Sequence, residues 1–313
     1  MKYIKDIKED DFLTSHFLCK QKQSLKSKNG KTYLSLKLQD KTGVIDAKVW
    51  DLNNDVQNFE ENDFIRIEGV VLLYQNELQV KVNKIRKSME GEYEPSDFIP
   101  RTEKDIAAMT GQLNGYVESV KNPYIKELLT NIFIKNKQTA RAFAAHSAAK
   151  SLHHGYMGGL LEHSLTVAEI CMFLCGVYKN VDRDILLAGA LLHDIGKIYE
   201  LSPFPDNSYT DAGQLLGHVY LGAELVAQEA LMINNFPETL ETLIKHCVVS
   251  HHGEYEYGSP KRPKIIEAFI IFCADSTDAK IKSFETAINA EYAQANWAGY
   301  NKTFDRFIRK TVY

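Results

Sequence analysis

Cysteine is scarce and odd in number: five among 313 residues, Cys19, Cys171, Cys175, Cys247 and Cys273. That excludes a fully paired disulfide framework and points to free thiols in a reducing compartment. Cys171 and Cys175 share a helix face, but no second Cys/His pair at thiolate-site spacing accompanies them, so buried thiols are expected. Long apolar runs are missing as well. None approaches the roughly 18 residues that span a bilayer. The opening Met-Lys-Tyr-Ile-Lys-Asp-Ile-Lys-Glu-Asp carries no apolar signal core. A cytoplasmic location with no membrane partner is the expectation. Excess charge of one sign is also lacking. A formal net charge of −4 argues against a chain that coats nucleic acid indiscriminately, and leaves a local basic groove open. No repeat or low-complexity tract stands out.

What is present divides in two, as the length allows. Residues 1–88 read as β. Leu34, Leu36 and Leu38 alternate with Tyr33, Ser35 and Lys37, and Ile45, Ala47 and Val49 alternate with Asp46, Lys48 and Trp50. A period of two sends one set inward and the other outward. Asp40-Lys41-Thr42-Gly43 supplies the turn between them. Strands over 17–22, 64–73 and 77–85 bring the total to about five, enough for a small closed barrel. Residues 89–101 are acidic and proline-containing and read as a linker. Residues 102–313 read as helical throughout, over 103–120, 123–136, 138–150, 160–178, 182–197, 213–233, 237–250, 263–282 and 284–309. The last of these carries Phe284, Ile288, Tyr292, Trp297, Phe304 and Phe307. They can pack on their own domain or on a second copy, which leaves a homo-oligomer open.

The chain is organised around Leu-Leu-Ala-Gly-Ala-Leu-Leu-His-Asp-Ile-Gly-Lys, residues 186–197. An apolar helix with small residues packs closely on its neighbours, and it ends in His193 and Asp194. A buried imidazole and carboxylate side by side are costly unless something pairs with them. A divalent cation is the simplest partner, and His163, His218, His251, His252 and Asp275 are the further candidates. Asp275 repeats the pattern of a carboxylate ending an apolar run. Alone, His163 reads as a core histidine and His218 as an exposed helix-start residue.

These residues carry a resemblance. His163, His193-Asp194 and Asp275 resemble the metal-binding set of the HD superfamily of metal-dependent phosphohydrolases, and His218 with His251-His252-Gly253 resembles the extra ligands of its two-metal members. The resemblance implies one ion on His163, His193, Asp194 and Asp275. It implies a second on His218, His251 and His252, with Asp194 bridging. Mn²⁺ comes first, and Mg²⁺, Fe or Zn also suit such ligands. Two bridged ions about 3.5–4 Å apart suit phosphodiester hydrolysis. Asp194 and Lys197 are the catalytic candidates. Lys197 reads as a phosphate-binding point charge or as a surface lysine, and Asp278 as a carboxylate orienting a ligand histidine or as a helix-surface residue.

Residues 18–50, with the stretch Leu-Gln-Asp-Lys-Thr-Gly-Val-Ile-Asp-Ala-Lys-Val-Trp, resemble the OB-fold of nucleic-acid-binding proteins. Lys20, Lys22, Lys26, Lys28 and Lys31 can track a phosphate backbone, and Tyr33 and Trp50 can stack bases. The plainer reading is a solvated lysine loop and two rim aromatics. The run His153-His154-Gly155-Tyr156-Met157-Gly158-Gly159-Leu160-Leu161-Glu162-His163-Ser164, behind a barrel and ahead of Ser250-His251-His252-Gly253, is similar to the YhaM family of bacterial 3′→5′ exoribonucleases. That resemblance implies a multi-domain chain, a small all-β OB-fold barrel followed by a larger all-α HD helical bundle. It also implies Mn²⁺-dependent release of nucleotides from the 3′ end of single-stranded RNA, with DNA as a further substrate. By the same resemblance His153, His154 and Tyr156 meet the substrate, and Lys197 is the further substrate-binding candidate as a phosphate contact. Two rivals stay open: a phosphohydrolase for a small nucleotide or cyclic dinucleotide, and a non-catalytic single-strand-binding module.

Overall fold

The computed structural model describes residues 2–27, 29–53, 55–74, 77–149, 155–289, 296–301 and 303–311. It divides into two compact units, Met1–Arg101 with Phe204–Asp206, and Thr102–Pro203 with Asn207–Tyr313.

In the first unit the alternating apolar residues form strands β1 (Phe12–Lys26), β2 (Thr32–Asp40), β3 (Gly43–Val49), β4 (Phe64–Tyr74) and β5 (Glu77–Lys87). They close into a barrel in the order β1-β2-β3-β5-β4. β3 and β5 run parallel, and β1 returns antiparallel to β4 to shut the ring. This is the expected five-stranded OB-fold. Leu34, Leu36, Leu38, Ile45, Ala47 and Val49 all point into its core, with Phe17, Phe59, Ile65 and Ile67. Period-two burial therefore sets the register, since a one-residue slip would turn every leucine of β2 to solvent.

Residues 89–101, expected as a linker, instead belong to this unit. Phe98 is fully buried, and Tyr93 and Phe98 pack on Phe64 with ring centroids 4.3 and 5.4 Å away. Gln39 Nε2 donates to the Phe98 carbonyl at 2.9 Å. Two aromatic anchors outweigh the proline and acidic content that suggested a free connector.

The second unit is helical: α1 (Ile106–Ser119), α2 (Pro123–Thr130), α3 (Lys137–Ala145), α4 (Gly159–Val177), α5 (Arg183–Leu192), α6 (Lys197–Glu200), α7 (Asp211–Leu231), α8 (Glu238–Ser250) and α9 (Ile266–Asn289). Contrary to the expectation of no bilayer-length run, α4 is long and apolar enough to cross a membrane by composition. Half of that apolar window is buried inside the protein, with His163 among the buried residues. α7 breaks at Gly217, whose φ of 74° and ψ of 158° lie outside the helical region, so a new helical segment starts at His218.

The expected helix over 284–309 is not formed. α9 runs to Asn289, and the chain then makes a two-stranded hairpin of β6 (Trp297–Asn301) and β7 (Arg306–Arg309). Turn chemistry defeats the helix here. Asn301 accepts the amides of Thr303 and Phe304, and Gly299 and Asp305 take positive φ. Phe304 packs on Phe284 of α9 at 5.1 Å. Tyr292 lies outside the described residues.

α5 is held by neighbours that leave no room at Gly189. A Cβ there would sit 2.5 Å from Ile271 Cδ1 and 2.7 Å from Cys247 Cβ. Gly189→Val is expected to destabilise the chain by about 1–3 kcal/mol through overpacking, read as a lowered midpoint in denaturant unfolding.

Candidate metal centre

Five elements converge on one carboxylate. The buried helix α5 ends at Leu192, and the turn that follows presents His193 and Asp194, both almost wholly inaccessible. α4 contributes His163, the restart of α7 contributes His218, the end of α8 contributes His251 and His252, and α9 contributes Asp275. Gly253 ends α8 with φ 78°, and a Cβ there would strike the Phe272 ring at 2.3 Å. Glycine is therefore required directly behind the histidine doublet.

The two oxygens of Asp194 face different partners. Oδ2 lies 3.5 Å from His163 Nε2 and 3.4 Å from His193 Nε2. Asp275 Oδ1 is 3.2 Å from the same His163 nitrogen. Oδ1 lies 3.5 Å from His218 Nε2 and 3.6 Å from His251 Nε2. His218, His251 and His252 offer ligand atoms within 4.8 Å of one another, as do His163, His193 and Asp194.

The tautomers are set from behind. Nδ1 of His193 donates to the Ala190 carbonyl at 2.8 Å, and Nδ1 of His251 to the Val248 carbonyl at 2.7 Å. Nδ1 of His163 meets Asp278 Oδ2 at 2.6 Å, and Nδ1 of His218 meets Glu200 Oε1 at 2.9 Å. Each Nε2 is thereby turned to the centre, the arrangement of metal-ligating imidazoles.

Burial pushes His251 well below the usual imidazole range, with His252 and His193 adding to the effect. Burial also lowers His252, again with a neighbouring histidine, His218, contributing. Burial works against charge on His163, but hydrogen bonds to Asp275 and Asp278 outweigh it and raise that group to about 9. Burial opposes ionisation of Asp194, yet Lys197 and His193 hold it well below the carboxylate range.

Among the described residues, the buried polar atoms Asp194 Oδ1, His218 Nε2, His251 Nε2 and His252 Nδ1 find no hydrogen-bond partner. Four such atoms pointing at one place would be costly for the protein alone. A divalent cation satisfies all of them, so the residues present fit the group that the doublet called for.

A family model described as the HD domain matches residues 160–280. A second, described as an OB-fold nucleic acid binding domain, matches residues 19–87. The 3′-5′ exoribonuclease YhaM of Geobacillus sp. is 33% identical over 290 residues, which span 91% of this chain and 88% of that protein. The chain belongs to the YhaM family. Among solved structures, the second OB-fold domain of replication protein A from Methanococcus maripaludis is 24% identical, covering 30% of this chain and 100% of that one at a TM-score of 0.24. An OB domain from Methanosarcina mazei is 21% identical, covering 33% of this chain and 95% of that one at a TM-score of 0.26.

In this YhaM-family chain the other expected site residues fare unevenly. Lys197 Nζ lies 2.6 Å from Asp194 Oδ2, at the centre and not on an open surface. Tyr156 donates to Glu162 Oε2 at 2.9 Å, and Thr102 Oγ1 donates to the same oxygen at 2.6 Å. His153, His154 and Lys28 lie outside the described residues. On the barrel, Lys20 Nζ donates to the carbonyls of Pro205 and Asp206 at 2.9 and 3.0 Å. Lys22 meets the Phe59 carbonyl, and Lys31 pairs with Asp51. Lys26 is exposed. Tyr33 and Trp50 stack on each other at 4.5 Å in a groove of about 650 Å³ that Lys48 and Tyr74 also line.

Sequence reasoning missed Glu200, Lys48 and Tyr74. Lys48 and Tyr74 could have been found from the outward register of β3 and β4. Two further histidines, His146 and His246, are engaged with main chain: His146 with the Ser147 and Leu201 carbonyls, His246 accepting from the Lys264 amide.

Asp278→Asn is expected to weaken cation binding by about 10–100-fold, the usual effect of losing a carboxylate behind a ligand histidine. Metal titration of chelator-treated protein checks it, and unchanged affinity would remove Asp278 from the centre.

Proposed function

We propose that the chain is a 3′-5′ exoribonuclease that hydrolyses single-stranded RNA with two divalent cations, Mn²⁺ first among them, and accepts single-stranded DNA as a second substrate. One observation carries the two-ion reading: the oxygens of a single buried carboxylate, Asp194, face separate imidazole sets. The direction of attack and the RNA substrate are those in the name of the Geobacillus relative. A mixed set of imidazoles and carboxylates suits Mn²⁺ and also admits Mg²⁺, Fe or Zn.

In this reading His163, His193 and Asp275 would hold one ion and His218, His251 and His252 a second, with Asp194 lying between the two sets. When bound, such ions would supply Lewis-acid charge for phosphodiester hydrolysis. The residues do the rest. Asp278 keeps the His163 ring aimed at the centre. Lys197, cationic against Asp194, places a point charge at the centre that can bind a phosphate. Tyr156, anchored on the buried Glu162, fixes the end of the segment that precedes α4.

The barrel favours a polymer over a small nucleotide. Tyr33 and Trp50 form an aromatic stack that lines the groove, with Lys48 Nζ 6.0 Å from the Tyr33 ring centroid. Stacking on such a platform is sequence-tolerant, because every base has a π-face.

The test is 5′-labelled RNA incubated with Mn²⁺, Mg²⁺ or chelator, with products resolved by length. Stepwise shortening from the 3′ end with metal, abolished by chelator and by Asp194→Ala while RNA is still bound, is the expected outcome. Shortening by the chelated enzyme would defeat the reading. Tyr33→Ala and Trp50→Ala are each expected to weaken RNA capture by about 1–3 kcal/mol and to leave hydrolysis of a small phosphodiester unchanged. Equal losses on both substrates would make the barrel a structural appendage.

A further inference from the structure

The two candidate ion sites share a construction that the ligand list alone does not reveal. In each, one imidazole is backed by a carboxylate and another by a main-chain carbonyl. His163 has Asp278 behind it and His193 has the Ala190 carbonyl. His218 has Glu200 behind it and His251 has the Val248 carbonyl. Glu200 lies on α6, the single turn of helix directly after the His193-Asp194 motif, and nothing in its sequence context marks it.

Glu200 does more than meet one nitrogen. Its Oε1 accepts from His218 Nδ1 and from the His218 main-chain amide, both at 2.9 Å. That amide is the first of the helical segment restarting after the break at Gly217, and such an amide has no partner within its own helix. The Glu200 carbonyl accepts from the Thr210 amide at 3.0 Å. A Cβ at Gly213 would come within 2.2 Å of the same carbonyl oxygen. Glu200 is thus gripped by the chain on both sides of the residues it spans, with its side chain largely out of solvent. At the other end of the turn, a Cβ at Gly196 would lie 2.0 Å from the His218 carbonyl, so the motif backbone and the His218 backbone touch.

We propose that Glu200 is the positioning residue of the second ion site. It fixes the tautomer and direction of His218, and so sets the affinity of the His218–His251–His252 set without acting on the His163–His193–Asp275 set. This rests on the two-ion reading above. A carboxylate behind a ligand imidazole both orients the ring and raises its basicity, and losing it typically weakens metal binding by about 10–100-fold.

The test is a Mn²⁺ titration of the chelator-treated full-length chain, with free Mn²⁺ followed by electron paramagnetic resonance. The wild type is expected to show two classes of site. Glu200→Gln keeps the shape and one accepting oxygen but removes the charge. It is expected to weaken the second class by about 10–100-fold and leave the first unchanged, while Asp278→Asn does the reverse. Glu200→Asp, which keeps the charge but falls short of Nδ1, is expected to weaken the second class as well, and it carries the test if the glutamine variant fails to fold. Two unchanged classes in Glu200→Gln, or equal weakening of both, would overturn the role of Glu200 and leave the two-ion reading standing. A wild type that takes up one Mn²⁺ per chain would instead overturn that reading, and the assignment of Glu200 with it. Thermal unfolding of the metal-free variants separates a purely structural role, which lowers the melting temperature without splitting the two affinities.

Discussion

An ionised carboxylate in a dry interior is the constraint on which the second unit depends. Asp194 is 2% exposed, just past the end of a helix whose residues from Ile185 to Leu192 are all apolar or small. A charge so placed is tolerable only when it is paired and hydrogen-bonded. Lys197 answers one oxygen directly, and the other faces imidazole nitrogens that find no hydrogen-bond partner among the described residues. The helices that bring in those nitrogens are therefore tied to one another through Asp194, although their sequence positions are spread over a hundred residues.

Packing supplies the accuracy that such a centre requires. Gly189, Gly196, Gly222 and Gly253 each sit where a Cβ would press on a neighbouring helix or ring. Small residues let α5 and the turn after it lie directly on α7, α8 and α9, so the ligand geometry is set by main chain more than by long side chains. The main-chain carbonyls of Ala190 and Val248 continue the same logic, since they fix two of the rings with groups that cannot change rotamer.

Much of this was legible in the sequence, and the reasons differ by residue. The barrel strands show because inward leucines at a period of two have one structural meaning. The His193-Asp194 doublet shows because polar residues closing an apolar helix demand a partner. Glu200 does not show, because a glutamate in a short exposed-looking stretch is the commonest surface residue, and its partner lies across a helix break. The hairpin after Asn289 does not show either. Its aromatics fall at spacings that a helix also uses, and the deciding signals are the single residues Gly299, Asn301 and Asp305. Ion pairing hides in the same way: the lysine run looks like a free cationic track, yet Lys20, Lys22 and Lys31 are spent on carbonyls and Asp51.

The convergence of α4, α5, α7, α8 and α9 on one place has a thermodynamic consequence. An unfolded chain scatters these ligands, so a cation that binds them favours the native state. Occupancy then adds RT ln(1 + [L]/Kd) to the unfolding free energy, about 2.7 kcal/mol when the free ion stands at a hundred times its Kd. For a fold of ordinary marginal stability that is a sizeable fraction of the total. Metal scarcity would thus deplete the protein itself through its exposure to proteases, before any question of turnover arises.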